Sequence, residues 1–183
     1  MHDAWPCAYN SSKESSTVQT MPPSPTPYHS MPGYLIRRVN QLLVAQFFEQ
    51  TDDQNITPVQ WAALCATQAA PGMDQITLSR DIAIDTSTVA GVIDRLEKRG
   101  LIKRQPSDSD KRVKLLFITK KGENLLNKTT PKVIELQDWL LSPLPAKERK
   151  AFLSQLQTLI ESHEPPPLQL KAAPTQKSHK LKV

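Results

Sequence analysis

The sequence predicts a mainly α-helical protein that carries one small β-hairpin. Apolar residues recur at helical spacing through most of residues 34–162, and one strand-turn-strand pattern, LIKRQPSDSDKRVKLLFITKKG, interrupts them at residues 101–122. The hairpin has a polar turn, and a basic pair, Lys111-Arg112, stands at the exit of that turn. The function of the protein must explain why a basic pair stands at the tip of a hairpin.

Both ends of the chain differ in composition from its centre. Five of the 16 prolines fall in residues 1–30 among serines and threonines, and residues 165–183 open with three prolines and carry four lysines without an acid. Neither stretch has enough apolar surface to offset the entropy of an ordered chain. We expect disordered tails over 1–30 and 165–183, and one globular domain between them.

The apolar content and the cysteines exclude several classes of protein. No apolar run approaches the ~18 residues of a membrane span, and the first residues lack a secretory pattern. Two cysteines form no disulfide framework. Cys65 lies in an apolar helix, where packing is favoured over a redox switch. We expect a cytoplasmic protein with no membrane partner.

The first half of the globular region contains four predicted helices. One spans 34–50, and a second starts at Thr57, which can form a capping box with Gln60 around Pro58. ITLSRDIAI follows as a short helix with Thr77 as candidate cap, and DTSTVAGVIDRLEKRG as another that ends at Gly100. Two helices joined by a tight turn form a helix-turn-helix.

The hairpin comes directly after this motif, with predicted strands at 101–105 and 112–118. The sequence therefore predicts a winged helix-turn-helix DNA-binding domain over residues 56–118. Thr119 caps a further helix that contains Pro131, where we expect a kink, and AKERKAFLSQLQTLIESH forms the last helix. We assign 34–50 and 119–162 to a dimerisation domain, because their apolar stripes need a cover. The alternative to a homodimer is that these apolar stripes are buried within a single chain.

The charge of the chain is concentrated near the hairpin. Residues 95–121 hold ten Lys or Arg and three acids, a net charge of +7, whereas residues 31–94 hold three basic and seven acidic residues, a net charge of −4. Such a basic region is typical of nucleic-acid binders, although a solvated surface is the alternative.

Two segments could contact DNA. The start of the second helix of the motif, with hydroxyls that bond phosphates or only cap the helix, would enter the major groove. Arg112 would insert into a narrow minor groove, and Asp110 would hold a neighbouring cation, which could be Arg95. The predicted DNA-binding residues are Thr86, Ser87, Thr88, Gly91, Arg95, Lys111, Arg112 and Lys114.

Several stretches resemble the MarR family of bacterial transcription regulators. TSTVAGVIDRLEKRGLIKR is similar to the recognition helix and first wing strand of that family, DKRVKLLFITKKG to the returning strand, and LSPLPAKERKAFLSQLQTL to the junction with the last helix. The resemblance implies a winged-helix homodimer that binds a pseudo-palindromic double-stranded DNA operator as a repressor. Release would follow binding of a small effector, often an aromatic carboxylate.

The wing and the recognition helix depart from the usual pattern. Many members have Asp-Pro-x-Asp-Arg-Arg where this chain has SDSDKR at 107–112, and a polar or basic residue where it has Gly91. These departures shift the expected contacts toward Arg112. PGYLIRR, TPVQWAAL and TVAGVIDRLE further resemble members that control aromatic-acid breakdown, including repressors of nicotinate degradation.

In this family the effector site usually lies between the dimer helices and the DNA-binding lobe. Tyr34, Arg38 and Trp61 are the candidates here, because an Arg at the edge of the apolar stripe could hold a planar carboxylate. An interface salt bridge for Arg38 and core packing for Trp61 are the alternatives.

No pattern indicates catalysis, a cofactor or a metal. The four histidines have no ligand spacing, and the phosphate-binding, zinc-protease and hydrolase motifs are missing. We expect no enzyme. A winged-helix module that binds a protein instead of DNA is the alternative function.

Overall fold

The computed structural model describes residues 27–163. Most of both predicted tails lies outside these residues, although Pro27–Ser30 form a 3-10 helix where we expected a tail. The chain divides into two compact units between Leu42 and Leu43. The first unit holds this 3-10 helix and the start of the first long helix, and the second holds every later element.

The helices and strands are α1 Pro32–Thr51, a 3-10 turn Asp52–Gln54, α2 Pro58–Ala69, β1 Met73–Asp74, α3 Gln75–Asp81, α4 Thr86–Lys98, β2 Ile102–Pro106, β3 Lys114–Ile118, α5 Lys120–Leu141 and α6 Ala146–His163.

The helix starts follow the capping signals of the sequence. The capping box of α2 is present, since Thr57 Oγ1 accepts from Gln60 N at 3.2 Å and Gln60 Oε1 accepts from Thr57 N at 3.3 Å. Thr119 caps α5 as predicted, and α5 continues through Pro131 as one helix. Thr77 was the wrong cap for α3, because Asp74 accepts from Thr77 N at 2.7 Å.

The sheet is larger than the hairpin that the sequence predicts. β2 and β3 pair antiparallel from Ile102 opposite Ile118 to Pro106 opposite Lys114. The short β1 adds a third strand on the other side of β3, giving the order β1-β3-β2. A two-residue strand has too little pattern to be recognised in a sequence, which is why it was missed.

One apolar core in the second unit holds α2, α3 and α4 against the sheet and α5. Leu64, Val89, Ile93, Leu96 and Leu116 are each at most 1% exposed. Burial of these side chains fixes α4 by its inner face and leaves its outer face in solvent.

The long helices keep apolar surface in solvent. On α1, Leu35, Ile36 and Leu42 are each about half exposed, and so are Ile134 on α5 and Ile160 on α6. Among the described residues, α6 has none that is fully buried. The apolar stripes predicted for these helices are therefore present and uncovered in a single chain.

Candidate nucleic-acid interface

The helix-turn-helix consists of α3, a four-residue turn and α4. Ala83 in the turn has φ of 51°, a left-handed conformation that reverses the chain within a short distance. Gln75 Nε2 donates to the Thr86 carbonyl oxygen at 3.1 Å and so ties α3 to the start of α4. The four apolar residues predicted for the inner face of α4 are all buried, namely Val89, Val92, Ile93 and Leu96.

The three hydroxyl residues at the start of α4 are exposed, but their hydroxyls have partners inside the motif. Ser87 Oγ donates to Asp85 Oδ1 at 2.5 Å, and Thr88 N donates to the same oxygen at 2.9 Å. Thr86 Oγ1 lies 3.4 Å from Ser79 Oγ. The cap of α4 is therefore Asp85 and not one of these hydroxyls, and the contact of the hydroxyls with DNA stays a prediction.

Asp85 places a negative charge at the N-terminus of α4. Hydrogen bonds from the Ser87 and Thr88 side chains, and then from the Thr88 backbone, hold the pKa of the Asp85 carboxyl far below its usual range. An ionised carboxylate is stabilised by the helix dipole at this end. The position where a phosphate could bind the helix N-terminus is therefore occupied by a charge of the same sign.

Gly91 and Arg95 form one feature of the outer face of α4. A Cβ at Gly91 would lie 3.7 Å from Arg95 Nη1, so the guanidinium lies back along the helix over the glycine. Asp110 pairs with Arg112, so the neighbouring cation expected at Asp110 is present and is Arg112 rather than Arg95. The Nη atoms of Arg95 approach the position that is usually taken by the side chain of residue 91.

The wing is closed by backbone hydrogen bonds at its base. Ser107 N donates to the Val113 carbonyl oxygen at 2.9 Å, and Val113 N donates to that of Asp110 at 2.9 Å. Ser107 is buried, and its Oγ lies 2.8 Å from Ser109 Oγ. These bonds end the strands one to two residues from the predicted bounds and form a compact tip over residues 107–113.

Arg112 forms an ion pair with Asp110 at the tip of the wing. Its side chain is 92% exposed, and its Nε and Nη2 donate to the two carboxylate oxygens of Asp110 at 3.1 and 3.2 Å. Arg112 N also donates to Asp110 Oδ1 at 3.0 Å. The Arg112 guanidinium lowers the pKa of the Asp110 carboxyl, which therefore stays ionised and holds the guanidinium at the tip.

The two predicted phosphate ligands flank this pair. Lys111 Nζ lies 3.5 Å from Asp108 Oδ1, and Lys114 Nζ donates to the Lys111 carbonyl oxygen at 3.4 Å. Both lysines are exposed, and such exposed ion pairs are weak. Lys111, Arg112 and Lys114 thus lie together on the wing, while the α4 candidates lie together on the helix.

One connection between the wing and α4 was missed by the sequence analysis. Arg104 on β2 pairs with Asp94 on α4 through Nη2, and its Nε lies 3.3 Å from Glu97 Oε2. The Arg104 guanidinium lowers the pKa of the Asp94 carboxyl. Asp94 and Glu97 are three residues apart on one helix face, which was the available signal. The pairs fix the direction of the wing relative to α4.

The effector candidates of α1 lie in the first unit. Tyr34 is half-buried, with Arg37 Cζ 5.2 Å from its ring centroid and the rings of Tyr28 and His29 at 5.3 and 4.9 Å. Arg38 is exposed, and its Nη1 donates to Gln41 Oε1 at 3.2 Å. The guanidinium of Arg38 therefore has further donors for a carboxylate, because Arg carries five N–H groups.

Trp61 lies in the first turn of α2, in the second unit, and is half-buried. Its Nε1 is shielded from solvent and has no acceptor among residues 27–163. A buried donor without an acceptor costs free energy, so this atom is suited to an acceptor supplied by another molecule. The role of Tyr34, Arg38 and Trp61 in effector binding stays a prediction.

Other classes of site have no support in the described part of the chain. Residues 27–163 contain no group of three His, Cys, Asp or Glu side chains that could hold a metal ion. Within the same residues, no helix is long and apolar enough to cross a bilayer. Cys65 is half-buried in α2, and burial raises the pKa of its thiol, which disfavours the reactive thiolate.

Comparison with known proteins identifies the family. Residues 56–114 match the model of the MarR family. The HTH-type transcriptional repressor NicR of Pseudomonas putida is 30% identical over 153 residues, which cover 82% of this chain and 97% of NicR. The chain belongs to the MarR family. It is a MarR-type transcriptional repressor with the winged-helix fold and is not an enzyme, as the sequence predicted.

Two solved structures are similar along most of their length. BpsR of Bordetella bronchiseptica, solved to explain the regulation of its DNA binding by 6-hydroxynicotinic acid, superposes with a TM-score of 0.71 at 28% identity. The match covers 78% of this chain and 100% of BpsR. The repressor CouR, bound to a 23-mer DNA duplex, superposes with a TM-score of 0.68 at 29% identity over 72% of this chain and 94% of CouR.

Proposed function

We propose that this repressor binds a two-fold symmetric operator as a homodimer and is released by a small aromatic carboxylate. The observation that carries the proposal is the position of Arg112, 92% exposed at the tip of a wing that follows α4 directly. In a winged helix-turn-helix this arrangement allows α4 to enter the major groove while the wing reaches the adjacent minor groove.

The dimer is supported by uncovered apolar surface at both ends of the described chain. Leu35, Ile36 and Leu42 on α1 are 50%, 54% and 49% exposed, and Leu153 and Ile160 on α6 are 51% and 54% exposed. Large apolar side chains left this exposed on a helix are costly in water and are typical of an interface. Symmetric operators are bound by symmetric dimers, which links this surface to DNA recognition.

The effector class is supported by one relative and by one side chain. BpsR is a protein whose DNA binding is regulated by 6-hydroxynicotinic acid, an aromatic acid. Arg38 is exposed with one N–H engaged by Gln41, so it can bind a carboxylate through the others. We propose that this chain responds to the same class of effector as BpsR. The most specific form of this proposal is an intermediate of the nicotinate pathway.

The competing function is a winged helix that binds a protein. It is favoured by the hydroxyls of Ser87 and Thr88, which are engaged by Asp85, and by the small Ala90-Gly91 pair, which offers no base contact. The two functions differ in their dependence on salt. A protein that neutralises several phosphates binds duplex DNA tightly at low salt and loses that affinity steeply as the salt concentration rises, whereas a protein-binding module should not bind duplex DNA at moderate salt.

The test is a titration of purified protein onto duplex DNA from upstream of its own gene, at about 50 and 200 mM salt. The titration is repeated with 6-hydroxynicotinate, nicotinate and benzoate. Tight, salt-sensitive binding to a symmetric site, relieved by one acid, is the expected result. Equal affinity for a random duplex would contradict the operator and favour the protein-binding module.

The variant Arg38→Ala tests whether Arg38, in the first unit, binds the effector. If Arg38 holds the carboxylate, the variant binds the operator normally but requires a higher acid concentration for release. Lys128→Ala is the control, because Lys128 is an exposed cation of α5 and is not an effector candidate. A full response of Arg38→Ala to the acid would remove Arg38 from the effector site.

A further inference from the structure

The base of the wing is tied to α4 by one side chain, Arg104, at the centre of β2. The chain reverses between α4 and β2 at Gly100, whose φ is 69°, and Arg104 lies opposite the buried Leu116 in the sheet. The side chain of Arg104 is 29% exposed and reaches back over this turn to two acids of α4. The wing tip begins at Ser107, three residues further along the chain, so the contacts of Arg104 act on the segment that carries the tip.

Arg104 contacts the two acids with both its side chain and its backbone. Its Nη2 forms an ion pair with Asp94 Oδ1, and its Nε, which is shielded from solvent, lies 3.3 Å from Glu97 Oε2. Its backbone N also donates to Glu97 Oε1 at 3.3 Å. Both carboxylate oxygens of Glu97 thus face the same residue. Contacts at two positions of one helix restrict the orientation of the strand, which a single ion pair does not do.

Asp94 also has a possible partner on its own helix. Lys98 lies four residues further along α4, a spacing at which an acid and a cation often pair on a helix. Arg104, and to a lesser degree Lys98 and Arg95, lower the pKa of the Asp94 carboxyl, but among residues 27–163 only Arg104 forms an ion pair with it. The carboxylate of Asp94 is therefore held by the wing in preference to the cation of its own helix.

We propose that Arg104 is a positioning residue for operator recognition, which together with Glu97 and Asp94 fixes the wing so that Arg112 enters the minor groove while α4 lies in the major groove. This inference rests on the proposed function. The ion pair of Arg112 with Asp110 is internal to the tip and does not orient the tip relative to α4. Arg104 supplies that orientation before DNA is bound, which lowers the entropy lost on binding.

The variant Glu97→Gln separates positioning from charge. It removes a negative charge from α4, so electrostatics alone predicts tighter binding to any duplex. Positioning predicts that operator binding weakens about fivefold or more, the scale of one lost specific contact, while binding to random duplex does not weaken. Asp81→Asn is the matched control, because it removes an exposed acid of α3 that is not a partner of Arg104 and should weaken neither. Fluorescence anisotropy on labelled operator and random duplex gives the affinities.

The variant Arg104→Gln tests whether the effect is transmitted through Arg112. We expect Arg112→Ala to weaken operator binding of the natural chain, but to have a much smaller effect in a chain that already carries Arg104→Gln. Arg104→Lys keeps the charge without the planar fork and should restore little of the affinity. Lys103→Gln is the control on the same strand, since it removes an exposed cation and its effect should add to that of Arg112→Ala.

Circular dichroism shows whether each variant is folded, and Glu97→Gln decides alone if Arg104→Gln does not fold. Tighter operator binding by Glu97→Gln would overturn the positioning role, and so would fully additive losses for Arg104→Gln and Arg112→Ala. In both cases the natural chain still binds its operator and the proposed function stands. If the natural chain does not prefer an operator over random duplex, the proposed function is overturned and this inference with it.

Discussion

The start of α4 and the tip of the wing are both exposed, yet they offer DNA different chemistry. At α4 the hydroxyl of Ser87 and the N–H of Thr88 are engaged by Asp85, and that carboxylate is negative. At the wing, Arg112 is 92% exposed and carries its charge outward from Asp110. At the start of α4 the hydroxyls are bonded to acceptors within the motif, whereas the cations of the wing tip are exposed and held only by exposed ion pairs, which are weak. A recognition helix can thus supply shape and position while sequence readout comes from elsewhere.

The two regions also differ in what holds them in place. Leu96→Ala on α4 removes a side chain that is 1% exposed and should lower the free energy of unfolding by about 2–5 kcal/mol. Val113→Ala, at a half-buried position of the wing loop, should lower the free energy of unfolding by clearly less than Leu96→Ala does. Urea unfolding followed by circular dichroism measures both. Equal losses would mean that the wing is as integral to the core as α4.

The largest expected effect on DNA binding comes from the wing tip. Arg112→Ala should weaken operator binding by about 1–3 kcal/mol with the dimer intact, because one specific contact is lost. Ser87→Ala on α4 is the companion variant and should cost less, since its hydroxyl is already bonded to Asp85. Fluorescence anisotropy on labelled operator gives both affinities. An unchanged affinity for Arg112→Ala would remove the minor-groove assignment.

Lys111→Ala should act without regard to sequence. Its exposed ammonium has only a 3.5 Å contact with Asp108, so it is available to phosphates. Loss of one phosphate contact weakens operator and random duplex alike and reduces the slope of log affinity against log salt by about 1. Anisotropy titrations at several salt concentrations measure the slope. A loss confined to the operator would instead make Lys111 a specific contact.

The smallest effect concerns the acid cap of α4. Because the pKa of Asp85 is lower in the folded chain than in the unfolded chain, its stabilising effect is present above the unfolded pKa, about 3.9. It is lost as the pH falls through the folded pKa. Natural chain and Asp85→Ala should therefore differ in stability at neutral pH and converge only in strong acid. Thermal unfolding at a series of pH values follows this difference, and convergence near pH 7 would contradict the assigned cap.

The sequence predicted the helices well because their signals are local. The capping box of Thr57 and Gln60, the cap at Thr119 and the buried face of α4 all depend on residues within a few positions of one another. β1 was missed, since two residues carry no period, and its pairing with Leu115 and Leu116 is set by tertiary contacts.

The partners of charged side chains were harder to predict. Asp110 holds a neighbouring cation, as expected, but this cation is Arg112 and not Arg95, because the tight tip brings Asp110 and Arg112 together. The pairing of Arg104 with Asp94 joins side chains of two different elements, β2 and α4. Such sites depend on packing, which no periodicity in the sequence encodes.

We propose that the wing reads the minor groove of the operator, while α4 adds little readout in the major groove. Base analogues at A·T pairs of the operator separate the two. 2,6-Diaminopurine paired with thymine adds an amino group in the minor groove and leaves the major-groove pattern of A·T unchanged, whereas inosine paired with cytosine does the reverse. We predict that diaminopurine under the wing weakens binding of the natural chain but not of Arg112→Ala, and that inosine has a smaller effect. A loss of affinity with inosine alone would contradict the claim and assign the readout to α4.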